Sequence, residues 1–512
     1  MKPTTTQIQS AKRKKNLLSS VHTLNTLLFS LCLLFSTTAV NAQWNQIGGD
    51  IDGEAADDGS GHSVSMPDAN TVAIGAWGND DNGSNSGHVR IYQKSGSTWV
   101  QKGSDIDGEA ADDQFSTSVS MPNSNTVAIG ARRNDGNGSN SGHVRVFEWN
   151  GSSWVQKGND IDGESADDGS GFSVSMPDIN TVAIGANNND GNGTDAGHVR
   201  IFTWNGTNWI QKGNDIDGEA AFDGSGYSID MPDTNTIAIG APLNADNGSR
   251  SGHVRIYEWS NTAWVQKGMD IDGEAPNDES GSSVNMPDAN TVAIGAERNN
   301  GAATRAGHVR VYRWSGTIWI QKGVDIDGEA AEDRSGSSVS MPDSNTVAIG
   351  ADGNDGNGSS SGHVRIYEWI NGGWVQKGMD IDGEASFNYS GEAVCMPDVN
   401  TVAIGAGDNS NSNGLDAGHV RVFNYGSVST GPQLERAAEG LKLYPNPARN
   451  NVTIELSPNG NNQPLLIYDL QGKLIHKQSL LQKQEQIDTE NWKAGIYFVR
   501  FGKEMQKLVI LE

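Results

Sequence analysis

Between residues 60 and 102 the chain alternates apolar and polar positions, or gathers β-branched residues, in four short runs: HSVSM (62–66), TVAIGA (71–76), HVRIY (88–92) and TWVQK (98–102). Runs of this length and period predict strands. The links PDAN and QKSGS carry the Pro, Asp and Gly of tight turns, so the first pair and the last pair of runs form hairpins. Ten residues, WGNDDNGSNS, join the second run to the third, and the acidic stretch DIDGEAADD leads from the fourth run to the next first one. In the second run Val72 and Ile74 point to one side and Ala73 and Gly75 to the other, where small residues let a neighbouring sheet approach.

The pattern recurs. DIDGE returns at Asp105, Asp160, Asp215, Asp270, Asp325 and Asp380, a constant step of 55 residues, and GHVR repeats at the same step from His88 to His419 with one residue inserted before the last. Seven units of four antiparallel strands, with no helical period, predict an all-β chain folded as a seven-bladed β-propeller over 43–426. The ends point to ring closure. The first unit is preceded by an orphan strand, WNQIGG (44–49), and the seventh stops after its third strand, HVRVF (419–423). The N-terminal strand is therefore expected to complete the seventh blade and remove two open edges.

Tryptophans open most fourth strands (Trp99, Trp154, Trp209, Trp264, Trp319, Trp374) and close most third ones (Trp149, Trp204, Trp259, Trp314, Trp369). Facing each other across a hairpin, they read as packing.

Charge divides the chain more sharply than its net of -27. Residues 1–42 hold five Lys/Arg and no acid, residues 433–512 ten against nine, and the middle therefore 21 basic and 54 acidic residues. Such a surface excludes nucleic acid and anionic lipid and leaves cations or neutral and basic ligands. The N-terminus reads as an export signal over 1–42: basic residues 12–15, the apolar run LLFSLCLLF (27–35), then VNA, with cleavage between Ala42 and Gln43. Removal of Cys32 with it leaves Cys395 unpaired, so no disulfide frame or Cys-rich zinc site is available.

The segment GSGHSVSMPDANTVAIGAWGNDDNGSNSGHVRIY (59–92) resembles an FG-GAP repeat, as in integrin α-chain propellers and many bacterial surface proteins, with Phe115 keeping the motif's aromatic in the second unit. That family's calcium lies between the first and second strands. Here that link is MPDANT (66–71), and Asp68 alone cannot supply the six to eight oxygens of Ca²⁺, so the site is not carried over. Topology instead puts the DIDGEAADD stretches and the ten-residue loops on one face.

For that acidic face two readings compete. Asp50, Asp52, Glu54 and Asp58, with Asp80 and Asp81 nearby, are candidate ligands for Ca²⁺. Alternatively Asp58 and its counterparts, Asn388 among them, accept amide hydrogen bonds in a turn. A catalytic carboxylate pair needs two environments that differ, which near-identical units do not offer. The seven histidines, one per unit, read as packed residues, and the Asn-Gly-Ser/Thr triplets at Asn82, Asn137, Asn192 and Asn247 read as turns.

After a linker over 427–440 the composition becomes neutral and richer in Leu and Lys. LKLYPNPARNNVTIEL, LLIYDLQGKLIHKQ, GIYFVRF and KLVIL over 441–512 predict a small immunoglobulin-like β-sandwich. These residues resemble the type A C-terminal sorting domain of the type IX secretion system, whose opening motif falls on Tyr444, Pro445, Asn446 and Pro447. The resemblance implies passage to the surface of a Gram-negative bacterium with the secretion machinery as partner. The expectation is a monomeric, non-enzymatic binding or adhesion scaffold for an extracellular glycan or protein; the alternative is a polysaccharide hydrolase or lyase on the same scaffold.

Overall fold

A computed structural model describes residues 42–427, 441–444, 446, 448–456, 464–469, 473–479, 484–501 and 504–511. The remainder of the expected export signal and residues 428–440 of the linker lie outside them. Every regular element among the described residues is a β-strand, and they form two units, 42–427 and 441–511.

The first unit is a ring of seven sheets. In the first blade Ser60–Asp68, Thr71–Ala76, His88–Ser95 and Thr98–Gln101 pair in that order, all antiparallel. The acidic stretch then departs from a simple crossover. Ile106–Asp107 returns to the third strand, Ile106 opposite Val89 and Asp107 opposite His88. The cause is the isoleucine: Ile51, Ile106 and their counterparts are 5% exposed and belong to the core. A second correction concerns Pro67, expected in the turn. The strand continues through it to Asp68 with a register shift after Ser65, a place where a missing N–H costs no ladder bond, and Asp68 Oδ1 then accepts the Asn70 amide at 2.8 Å.

The seventh blade contributes Ala393–Asp398, Thr401–Ala406 and His419–Ser427, and its outer edge is filled by Ala42–Gln46, with Trp44 opposite Tyr425, followed by Ile51–Asp52. The innermost strands touch their neighbours all round, the first against the seventh included. A hydrogen bond seals each step. The amides of Met121, Met176 and Met231 donate to Ser65, Ser120 and Ser175 of the preceding blades, and those of Met286, Met341, Met396 and Met66 donate to Asp230, Asn285, Ser340 and Cys395.

The core lies between blades. Ala128, Val144, Val146 and Ile161 of the second blade pack against Val174, Met176, Val182, Ile184 and Phe202 of the third. A fully buried Val or Ile contributes about 1.5–3 kcal/mol, so the boundary is the stabilising unit. Gly130 shows how close the approach is: a Cβ there would sit 2.1 Å from the Gly171 carbonyl oxygen of the next blade.

In the C-terminal unit Leu441–Tyr444, Asn451–Leu456 and Gln484–Asp488 form one sheet, and Leu474–Ser479, Pro464–Asp469, Gly495–Phe501 and Glu504–Ile510 the other. They share a core that includes Val452, Ile454, Leu465, Ile467, Val499 and Leu508. The immunoglobulin-like expectation is met only as far as two packed sheets. Three strands face four across this core. Asn446 of the predicted sorting motif clasps the last strand, donating to the Lys507 carbonyl at 2.6 Å and accepting the Val509 amide at 2.9 Å. Tyr444 pairs with Thr453; Pro445 and Pro447 lie outside the described residues.

Candidate functional site

Each third strand opens on Gly-His-Val-Arg at a corner shared with the preceding blade. Arg90 is 4% exposed; its Nη2 donates to the Asp52 carbonyl at 2.7 Å and its Nη1 lies 3.4 Å from Glu54 Oε1. The same clasp recurs at every boundary, through to Arg421 with Asp382 and Glu384. Sequence reading passed over these arginines because a charged residue in a strand reads as solvent-facing.

Two residues before each arginine stands a buried histidine. His198 Nδ1 lies 4.0 Å from both Glu164 Oε2 and Asp215 Oδ2. Glu164 Oε1 faces Arg200, and Asp215 Oδ1 accepts Gln211 Nε2 at 2.6 Å. Burial first, and the adjacent arginine second, push the imidazoles down, to about 4 at His143, His198, His308, His363 and His419, so they are neutral at pH 7. Burial raises the glutamates Glu54, Glu109 and Glu164 against the opposing pull of the arginine.

The four acids named as candidate Ca²⁺ ligands, Asp50, Asp52, Glu54 and Asp58, are thereby dispersed. Glu54 joins His88, Asp81 and Asp105, whereas Asp50 joins His419 and Glu384 one boundary back. Asp52 presents its carbonyl to Arg90. Asp58, 2% exposed, accepts the amides of Glu54 and Ala55 at 3.1 and 2.9 Å. Asn388 does the same for Ala385 in the seventh unit. The Asn-Gly-Ser loops are likewise pinned, Asn82 Nδ2 donating to the Gly108 carbonyl at 2.7 Å.

The tryptophans belong to the boundaries too. Trp149 and Trp154 lie 5.4 Å apart. The Lys102 ammonium of the preceding blade caps both rings, at 5.3 and 5.2 Å, and the Lys102 backbone carbonyl accepts Trp154 Nε1 at 2.8 Å.

What differs between units gathers elsewhere, at one end of the two innermost strands and so around the axis. At the position of Trp77 no two units agree: Trp77, Arg132, Asn187, Pro242, Glu297, Asp352 and Gly407. The adjoining strand position carries His62, Thr117, Phe172, Tyr227, Ser282, Ser337 and Glu392. These side chains meet across blades. Arg132 lies over the Phe172 ring (5.5 Å), Phe172 against Tyr227 (4.8 Å), and His62 Nδ1 3.7 Å from Glu392 Oε2. Arg334 pairs with Asp352 at 3.0 Å and lies over Tyr389. Burial pushes the Asp352 carboxyl up to about 7 against Arg334. Comparing the units for what varies, instead of what repeats, was the signal that would have found this mouth.

Fold and site together define a seven-bladed β-propeller with a boundary motif repeated round the ring. The FG-GAP repeat profile matches residues 51–92 and 102–147, and the secretion system C-terminal sorting domain profile matches residues 442–511. The chain thus carries FG-GAP repeats in its propeller and, at its C-terminal end, a type IX secretion sorting domain that marks it for secretion or cell-surface attachment. Beta-agarase A of Zobellia galactanivorans is 31% identical over 70 residues, 13% of this chain and 13% of that protein. PorZ, a surface component of the type-IX secretion system of Porphyromonas gingivalis, is 12% identical with a TM-score of 0.35, over 87% of this chain and 65% of that one. The β-propeller domain of the Trilobed protease from Pyrococcus furiosus is 11% identical with a TM-score of 0.36, over 67% and 90%.

Proposed function

We propose that the protein is a non-enzymatic binding scaffold, displayed on or released from the surface of a Gram-negative cell, that holds an extracellular glycan or protein at the axial mouth. The observation that carries this reading is the position of Trp77, different in all seven units of a ring that otherwise repeats itself. Aromatic rings at Trp77, Phe172, Tyr227 and Tyr389 offer apolar faces beside polar groups, the mixture that fixes a ligand's orientation.

The alternative, a hydrolase or lyase, needs an acid and a base free to move protons. The more buried carboxylates of the mouth are each engaged: Asp352 with Arg334, Glu392 with His62 and the Gly407 amide, Glu279 with Arg250 and Arg298. Glycan and extracellular-protein arrays with the secreted chain, run beside hydrolase and lyase assays on the same glycans, test the reading. Binding without turnover, lost in Tyr227→Thr, is expected; turnover of a bound glycan overturns it.

A further inference from the structure

We propose that the blade boundaries bind first-row divalent cations, with Zn²⁺ as the type, through one imidazole and two carboxylates, and bind them most tightly at the first and fourth blades. There a third carboxylate joins. The groups are Glu54, Asp81, His88 and Asp105 at the first blade, and Glu219, Asp246, His253 and Asp270 at the fourth; in each, one ligand atom per residue lies within 4.8 Å of the others. The place of Asp81 and Asp246 is taken by Gly136, Gly191, Gly301 and Gly356 in the second, third, fifth and sixth units.

Carboxylates alone would not carry this. The second observation is the histidine. His88 and His253 are 0% exposed, and their Nδ1 atoms have no hydrogen-bond partner. Those atoms point into the carboxylates, 3.9 Å from Glu54 Oε2 and from Glu219 Oε2. That distance is too long for a hydrogen bond and suits two ligands of one ion. Ligand atoms 3.9 Å apart in one pair and within 4.8 Å in the others enclose a point about 2.3–2.8 Å from each, so small side-chain rotations bring them to Zn–N and Zn–O distances of about 2.0–2.2 Å. The outer oxygens are already occupied, Glu54 Oε1 by Arg90 and Asp105 Oδ1 by Gln101, so the inner ones are oriented as second-sphere partners orient metal ligands. An imidazole nitrogen in the set favours a first-row metal over Ca²⁺, which takes six to eight oxygens.

The test uses the whole secreted chain, freed of metal and titrated with Zn²⁺, with Co²⁺ as spectroscopic probe and millimolar Ca²⁺ as competitor. Two tight Zn²⁺ ions above a weaker class are expected, together with Co²⁺ absorption characteristic of nitrogen ligation. Asp81→Gly with Asp246→Gly, which copy exposed positions of other units and so keep the fold, should weaken the tight class roughly tenfold or more. His88→Gln with His253→Gln should abolish it while leaving the acidic charge in place. Unchanged Zn²⁺ binding in either double variant, or displacement of Zn²⁺ by Ca²⁺, would show a diffuse ion atmosphere and overturn the proposal.

Discussion

The rim and the mouth of this propeller are built from the same seven units and follow opposite rules. At the rim every boundary carries the same arginine clasp, the same buried histidine and, at most boundaries, the same lysine-capped aromatic pair. At the mouth the residues following Ala76 and its six counterparts never repeat. Ring closure explains the first rule, because seven boundaries must turn through compatible angles and a single misfit propagates round the ring. The mouth side chains hold no ladder bonds and are free to differ. Sameness between units therefore reports architecture, and difference marks the surface available for recognition.

The hardest test of this contrast is to remove one clasp. Arg255→Ala leaves the Asp217 carbonyl without its 2.6 Å donor and Glu219 without its cation, a loss of about 3 kcal/mol for a buried charge-assisted contact. Urea or thermal unfolding should show it, and Arg200→Ala and Arg310→Ala should match it within about 0.5 kcal/mol. Effects that differ widely between these boundaries would break the equivalence claimed for the rim.

Next comes the hydrogen-bond ring, where the fourth unit departs from serine. Burial pushes the Asp230 carboxyl up from 3.8 to about 6, against bonds from the Met286 amide, Ser175 and Met231. A raised folded value means that the folded state binds the extra proton. The penalty is thus absent below about pH 4, grows between pH 4 and 6 and is complete above. Asp230→Ser should stabilise the protein by up to about 3 kcal/mol at pH 7.5, with no gain at pH 4. A pH-independent difference in melting temperature would contradict this.

Smaller still is Cys395→Ser. Burial holds the Cys395 thiol at about 11, unreactive at neutral pH, and its sulfur accepts the Met66 amide at 3.2 Å. A serine restores the oxygen acceptor that Ser65, Ser120, Ser175 and Ser340 supply to their neighbours. The expected change is below about 1 kcal/mol in chemical denaturation, and a loss larger than that would show that the first boundary needs sulfur's volume.

Much of this was readable beforehand for a physical reason. TVAIGA at 71–76 has the period of a strand, and the missing fourth strand after residue 423 matched the spare one at 44–49, so blade count and closure followed from pairing alone. Ile106–Asp107 was not readable, since two residues carry no period. The partners of His88 come from two other stretches of chain, Glu54 and Asp105, and only three-dimensional pairing assembles them. The axial mouth required a third kind of reading, position by position across units, because Trp77 sits in a loop where neither period nor propensity speaks.

The smallest expected effect is at the mouth itself, and it bears most directly on function. Trp77 touches His62 edge-on, with ring centroids 6.2 Å apart, and Trp77→Asn borrows the residue that the third unit already carries at that position, Asn187. Trp77 is half-buried, but its position carries a different residue in every unit, so the stability change should stay near about 0.5 kcal/mol and the melting temperature within about 2 °C of the parent for a unit of this size. Binding should respond differently. If Trp77 supplies an aromatic face to the ligand, its loss should weaken affinity roughly tenfold or more, as truncation of an anchoring aromatic does, while Arg255→Ala lowers stability and leaves affinity below the unfolding transition unchanged. Measuring both variants by calorimetry against the same ligand separates rim from mouth. Should Trp77→Asn melt early and bind normally, the variable position would be a structural one, and the contrast between the two regions would collapse.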